Sequence, residues 1–107
     1  MDLTISEMQD MQRTLQEKYF DKWGGLPPEQ ARQKLLWLFS EAGEAADIIK
    51  KHGDNYILHD ADTRAKFIEE MADVLMYFND VLLCYDITPE EFAAVYRQKH
   101  TANMKRW

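Results

Sequence analysis

Residues 28–51 and 62–85 keep a helical apolar period through two long runs, and each run holds a pair of acids inside it. Apolar residues at three- and four-residue steps seat one stripe of a helix in a core, whereas a strand would alternate every second residue. In the first run that stripe is Leu35, Leu38, Phe39, Ala42, Ala46 and Ile49, and a second stripe at the same spacing reads Trp37, Glu41, Glu44 and Ile48. In the second run Phe67, Met71, Val74, Leu75, Phe78 and Leu82 form the expected buried face. Beside it run Lys66, Glu70, Asp73, Tyr77 and Cys84. Acids three residues apart project about 60° from one another, one turn along the axis. Antiparallel packing of the two acidic stripes would gather four carboxylates. Unit negative charges about 6 Å apart, at an effective dielectric of about 20, repel by roughly 2–3 kcal/mol per pair. Such a cluster survives only if it is solvated, protonated or neutralised by cations.

The rest of the chain reads as helix too. The first helix opens on a capping box, Thr4-Ile5-Ser6-Glu7, in which hydroxyl and carboxylate satisfy orphan amides reciprocally. It carries Ile5, Met8, Leu15 and Tyr19 at helical spacing, and "WGGLPP" ends it through paired glycines and prolines. The second helix is expected to stop near Gly53, leaving "HGDNYILHDAD", residues 52–62, as the one real loop. The last helix starts at Thr88 as N-cap, with Pro89 at its first position and Glu91 closing a second capping box. With no repeat, linker or convincing strand, the expectation is one all-α domain, a four-helix bundle. A chain of 107 residues buries roughly 60–70% of its unfolded surface.

Charge and cysteine content narrow the function. A net charge of −6 argues against general affinity for a nucleic-acid backbone, which needs a basic surface. An acidic protein still binds an anionic phosphate ligand when metal ions stand between them. The single cysteine, Cys84, excludes an intrachain disulfide and fits a reducing compartment. "MDLTISEMQD" lacks the features of a secretory signal, and no apolar run is long enough to cross a bilayer. The expected setting is the cytoplasm, without a membrane or nucleic-acid partner.

Acids at this spacing are commonly just a solvated face, and Asp47 with Lys51 or Lys66 with Glu70 would be ordinary surface pairs. Two such pairs in helices that are apolar around most of their circumference favour a cation site instead. All-carboxylate oxygen sites suit hard ions, Mg²⁺ or Mn²⁺, whereas Zn²⁺ recruits His or Cys. A di-iron bundle would need Glu-x-x-His, but Ile49, Tyr56 and Arg97 stand three before His52, His59 and His100. The last helix supplies a complement: Phe92, Tyr96, Lys99, Asn103 and Arg106 share one stripe that ends in groups suited to phosphate oxygens. Lys105 lies off the stripe, where it serves the helix dipole.

Together these residues resemble a known family. "EAGE" followed by "EEMAD" is similar to the Glu-x-x-Glu, spacer, Glu-x-x-Asp pattern of the MazG-like all-α nucleoside triphosphate pyrophosphohydrolases. Twenty-five residues separate Glu44 from Glu70, within that family's spacer range. "KHTANMKRW" resembles the family's closing Lys-x-x-x-Asn-x-x-Arg, matched by Lys99, Asn103 and Arg106, and the likeness covers about residues 30–107. The resemblance implies a MazG-like bundle completed by oligomerisation, hydrolysing a nucleoside triphosphate to the monophosphate and pyrophosphate. It further implies Mg²⁺ held by Glu41, Glu44, Glu70 and Asp73, with Glu41 the first choice to assist the attacking water. Relatives such as dCTP pyrophosphatase and the dimeric dUTPases make pyrimidine deoxynucleotides natural candidates. Trp37 and Tyr77, one turn from the acids, are the candidates to flank a base; Trp23 and Trp107 are weaker ones.

Two alternatives remain at this level. One is phosphoribosyl-ATP pyrophosphohydrolase, the same chemistry on a different leaving half. The other is a non-catalytic helical oligomer whose acids bind Mg²⁺ or a basic partner. Apolar residues off the main stripes, Leu36, Ile68, Met76 and Leu83 among them, point to a homodimer or a dimer of dimers.

Overall fold

A computed structural model describes residues 1–107, and every regular element in it is helical. The chain forms α1 (Ile5–Lys18), a single turn α2 (Phe20–Trp23) and a 3₁₀ turn (Pro28–Gln30). After these come α3 (Ala31–His59), α4 (Ala61–Cys84) and α5 (Pro89–Arg106). The all-α class expected from the periodicity is what forms. Four long helices are present as expected, with α2 added where Tyr19 ends α1 and stacks on Trp23, ring centroids 4.5 Å apart.

The helix starts obey the local chemistry. The Thr4 hydroxyl accepts from the Glu7 amide at 3.1 Å while Glu7 accepts from the Thr4 amide at 2.9 Å, so the first capping box is complete. At α5 only half of the expected box forms: Thr88 accepts from the Glu91 amide, and the Glu91 carboxylate does not return the bond. Gly24 and Gly25 take left-handed φ of +81° and +76° after α2, and a Cβ on Gly25 would come within 2.9 Å of the Phe20 ring.

The expected loop at 52–62 is the main correction. Gly53 takes φ +81°, ψ 168°, which breaks the axis, but helix resumes at once and runs to His59. Asp60 is then the only residue between α3 and α4. Its carboxylate accepts from both the amide and the hydroxyl of Thr63, which starts α4 without a loop. Glycine lets the chain change direction in one residue, so the polar "GDN" that reads as a loop is a kink.

α3 and α4 form a long antiparallel hairpin, and α1 packs along α4. The interior of this arrangement is polar. Gln9, Gln12, Gln16, Lys34, Glu70, Asn79 and Asp80 are all buried, alongside Ala31, Ala45, Leu82, Leu83 and Cys84. The stripe expected to seat α3 is mostly turned outward: Leu35, Phe39 and Ile49 are 43, 63 and 44% exposed and Ala46 is exposed, while Leu38 and Ala42 are half-buried. α3 is apolar on several faces, and the small residues Ala31 and Ala45 lie on the face that lets α4 come close. On α4, Leu82 is buried and Phe67, Val74 and Phe78 are half-buried as expected, while Met71 and Leu75 are exposed.

α5 stands away from the rest. It meets α4 through Phe92, whose ring lies 5.2 Å from that of Phe78, and every residue from Ala94 onward is exposed. The radius of gyration is 16.2 Å, against about 13 Å for a compact chain of this length. No helix is long and apolar enough to cross a membrane.

The Gly53 kink gives a direct stability prediction. Nothing lies within 4 Å of a Cβ placed there, so Gly53→Ala creates no clash and acts through the backbone alone. It should lower stability by about 1–3 kcal/mol, the cost of a non-glycine residue in that region, measured by urea denaturation.

Candidate metal centre

The hairpin's register carries the acids to one place. Lys34 on α3 meets Asp80 on α4 at 3.5 Å, and the Trp37 and Tyr77 rings meet at 5.8 Å. Each three- or four-residue step along α3 is matched by an equal step back along α4. Continued one turn, this register brings Glu41 level with Asp73, and continued another, Glu44 level with Glu70. Ala45, 4% exposed, leaves room for the close approach.

Glu41, Glu44 and Glu70 each offer a carboxylate oxygen, and those oxygens all lie within 4.8 Å of one another. Glu70 is buried, and its Oε2 has no hydrogen-bond partner. Its other oxygen faces Lys66 Nζ at 3.6 Å, an ion pair whose lysine is mostly in solvent. A buried carboxylate oxygen without a partner costs free energy unless a donor or a cation meets it. Three carboxylates of which one oxygen is orphaned therefore fit a hard divalent ion in donor type and in charge. Asp73, named with them from the sequence, is half-buried on the wall of the same cavity as Glu41, and the three-oxygen cluster forms without it.

In the absence of a cation the cluster answers its own repulsion with a proton. Glu41 is pushed up from 4.5 to about 7, first by a hydrogen bond shared with Glu70, then by burial, then by Glu44 and the charge of Asp73. Glu70 is held below its ordinary value, first by accepting from Glu41 and Glu44, with the Lys66 ammonium adding to the effect. The proton that Glu41 gains is the donor that the Glu70 carboxylate otherwise lacks.

The expected base-flanking pair is brought together: Trp37 and Tyr77 both line a cavity of about 660 Å³ that also touches Glu41 and Asp73. Burial, and after it the charges of Glu41, Asp73 and Asp80, pushes the Tyr77 phenol up. Trp23 lies on the same cavity, whereas Trp107 is 91% exposed beside Arg106. Lys99, Asn103 and Arg106 are exposed on α5 and make no ion pair or hydrogen bond with the acids of their own chain. Sequence reasoning missed the far end of the cavity, formed by Gln12, Gln16, Gln30, Lys34 and Asp80. The available signal was the spacing of Gln9, Gln12 and Gln16, three amides on one face of α1. Comparison with protein families, with characterised proteins and with solved structures gives no match to this chain.

Two measurements check the cluster. An unfolded glutamate titrates near 4.5 and Glu41 near 7, so between those values the native state binds the extra proton. Stability of the cation-free protein should therefore fall as pH rises from about 4.5 to about 7. The Glu70 shift acts below 4.5 and leaves that window alone. Thermal melts at both ends of the window test the slope. At neutral pH, Glu44→Gln should raise the melting temperature of the cation-free protein by relieving repulsion and remove most of the stabilisation given by Mg²⁺. A variant that keeps its full Mg²⁺ response would place the ion elsewhere.

Proposed function

We propose that the protein is a nucleoside triphosphate pyrophosphohydrolase of MazG-like type, releasing a nucleoside monophosphate and pyrophosphate. The observation that carries this reading is the buried Glu70 oxygen without a partner, set in a carboxylate trio whose member Glu41 lines a nucleotide-sized cavity. Ligand cavities for small molecules run from about 300 to 1,000 Å³, and the aromatic walls Trp37 and Tyr77 suit a planar base. The Glu-x-x-Glu and Glu-x-x-Asp motifs supply the same residues by resemblance.

On this reading Glu41, Glu44 and Glu70 would hold Mg²⁺, with Asp73 on the wall of the adjoining cavity. When bound, the ion neutralises triphosphate charge and polarises the α-phosphoryl group. Glu41, freed of its own proton, accepts one from water. The water oxygen bonds to the α-phosphorus, and the oxygen bridging to the β-phosphorus leaves with pyrophosphate. Lys99, Asn103 and Arg106 neutralise the departing phosphates.

That basic row does not reach its own chain's acids, so we place it over the cavity of a second copy in a homodimer or a dimer of dimers. Support comes from surface area. The chain exposes 8294 Å², whereas a compact monomer of 12.7 kDa exposes about 6,200 Å². The excess, about 2,000 Å² per chain, is the scale of an obligate interface. Large apolar residues on that surface include Met11, Leu15, Leu36, Phe39, Ile68, Met71, Leu75 and Met76.

The remoteness of α5 also favours a second reading, a cation-binding oligomer without catalysis. Pyrophosphate release from a panel of nucleoside triphosphates with Mg²⁺, phosphoribosyl-ATP included, separates the two; no turnover of any of them supports the second. For the enzyme, Lys99→Ala and Arg106→Ala should each cut turnover on the order of 100-fold, and Lys105→Ala should change it little. Equal losses from all three would mean that the helix acts through general charge. Sedimentation at micromolar concentration should show no monomer.

A further inference from the structure

The contact that holds α1 on α4 is polar and incompletely satisfied. The buried face of α1 is Gln9, Gln12 and Gln16, whereas its Met11 and Leu15 are exposed and its Ile5 and Met8 half-buried. Two hydrogen bonds to oxygen tie the helix down. Gln12 Nε2 donates to Asp80 at 2.8 Å, and Gln9 Nε2 donates to the Ile87 carbonyl at the longer distance of 3.4 Å. Four buried side-chain atoms in the protein lack a partner, and three of them gather here. They are Gln9 Oε1, Gln16 Oε1 and the Oδ1 of Asn79, the α4 residue whose Nδ2 faces Met8 Sδ at 3.7 Å. An enclosed amide oxygen without a donor carries a desolvation cost that water removes once the group is uncovered. Lifting α1 therefore hydrates three orphaned oxygens, at the cost of one short hydrogen bond, one long one and the contacts of two half-buried apolar side chains.

The chain is also built to let the helix lift. After α2 it passes through Gly24 and Gly25, both left-handed, before Pro27 and Pro28 lead into the 3₁₀ turn. Glycine changes conformation there without strain, and hinges sit at such element ends. Residues 1–23 are thus one arm ahead of a glycine pair. Five of the thirteen residues lining the 660 Å³ cavity, Gln12, Leu15, Gln16, Lys22 and Trp23, belong to that arm. We infer that residues 1–23 are a hinged lid, which lifts from α4 about Gly24 and Gly25, opens one wall of the cavity, and is latched shut by the bond from Gln12 to Asp80. The unpaired amides keep the closed state shallow, as a moving element requires, and the latch returns it. The opening belongs to the protomer whatever the cavity binds; that the lid closes over a nucleotide rests on the function proposed above.

Amide hydrogen exchange on the full chain without ligand tests the opening. Residues 9–18 should exchange together, and on the order of 100-fold faster than residues 75–84 of α4. Gln16→Leu, which removes an orphaned oxygen and keeps the bulk, should slow residues 9–18 by about tenfold. Gln12→Leu breaks the latch and should speed them by about the same factor. Glu17→Leu, exposed on the same helix, adds the same leucine without touching α4 and should change them little. Should Gln12→Leu fail to fold, Gln16→Leu against Glu17→Leu still decides. The α,β-methylene analogue of dUTP with Mg²⁺, its binding followed by titration calorimetry, should slow residues 9–18 of the parent by about tenfold or more when saturating. Exchange in α1 as slow as in α4, which a neighbouring copy clamped over Met11 and Leu15 would also produce, overturns the inference. So does exchange unmoved by Gln16→Leu, or unmoved by the bound analogue. An analogue that does not bind removes the nucleotide reading instead, and the ligand-free exchange then decides the lid by itself.

Discussion

The buried pair Lys34–Asp80, with Gln12 bonded to the same carboxylate, joins α3, α4 and α1 at one point. Burial pushes the Asp80 carboxyl up, and the bonds from Gln12 and Lys34 oppose that shift, so the group is kept by its partners. Removing one member of a buried pair strands the other at a cost of about 3–5 kcal/mol. Such a pair tolerates no slip. A shift of one residue between α3 and α4 would separate the charges, and one turn along the hairpin the same shift would part Trp37 from Tyr77. The carboxylates two turns away owe their meeting to this register.

The position of the polar groups is the reverse of what hydrophobic burial alone would choose. Glutamines, a lysine, a glutamate, an asparagine and an aspartate outnumber the apolar residues that are buried, while many leucines, methionines and aromatics face outward. Buried polar groups that are satisfied specify one arrangement, and those left unsatisfied mark places where a ligand or ion can bind. Four side-chain atoms are in the second state: Gln9 Oε1, Gln16 Oε1, Asn79 Oδ1 and Glu70 Oε2. Gln16 is one of the residues lining the cavity, and Glu70 belongs to the acid cluster that carries the functional reading. Gln9 and Asn79 line no part of that cavity, and their neighbours are Ile87 and Met8.

Much of this was legible in the chain itself. Helix class, the capping box at Thr4, the N-cap at Thr88 and the inward stripe Glu70, Asp73, Tyr77 are set by local spacing, which depends only on residues a few positions apart. The choice of buried face on α3 was not legible. The sequence shows the stripes Leu35-Leu38-Phe39-Ala42-Ala46-Ile49 and Trp37-Glu41-Glu44-Ile48, whereas the residues buried on α3 are Ala31, Lys34 and Ala45, a face that hydropathy does not favour. That face is buried because small residues and a charge partner across the hairpin decide packing, and neither is visible within one helix. Gly53 is ambiguous for a related reason. A glycine ends a helix or merely bends it according to where the next cap falls, and here Asp60 supplies that cap seven residues later. The acid pairs were legible as pairs, yet only the register separates the trio from Asp73.

α3 and α4 are helical where the acids stand, which fixes the spacing of their Cα atoms. Gly43, between Glu41 and Glu44, is the one local weakness, and a glycine inside a helix costs about 0.5–1 kcal/mol relative to alanine. Nothing in the protomer would touch a Cβ there. The protomer therefore gives no reason for the glycine, whereas a ligand or a second copy approaching the outer face of the cluster would. The same direction of approach is open to α5 of a neighbouring chain, whose basic row has nothing to bind at home. An acid cluster that holds its own proton when alone, and a basic helix without a local partner, are then two halves of one charge balance. On the proposed reading, a cation would take the place of that proton, and a triphosphate would be the anion that the basic row lacks.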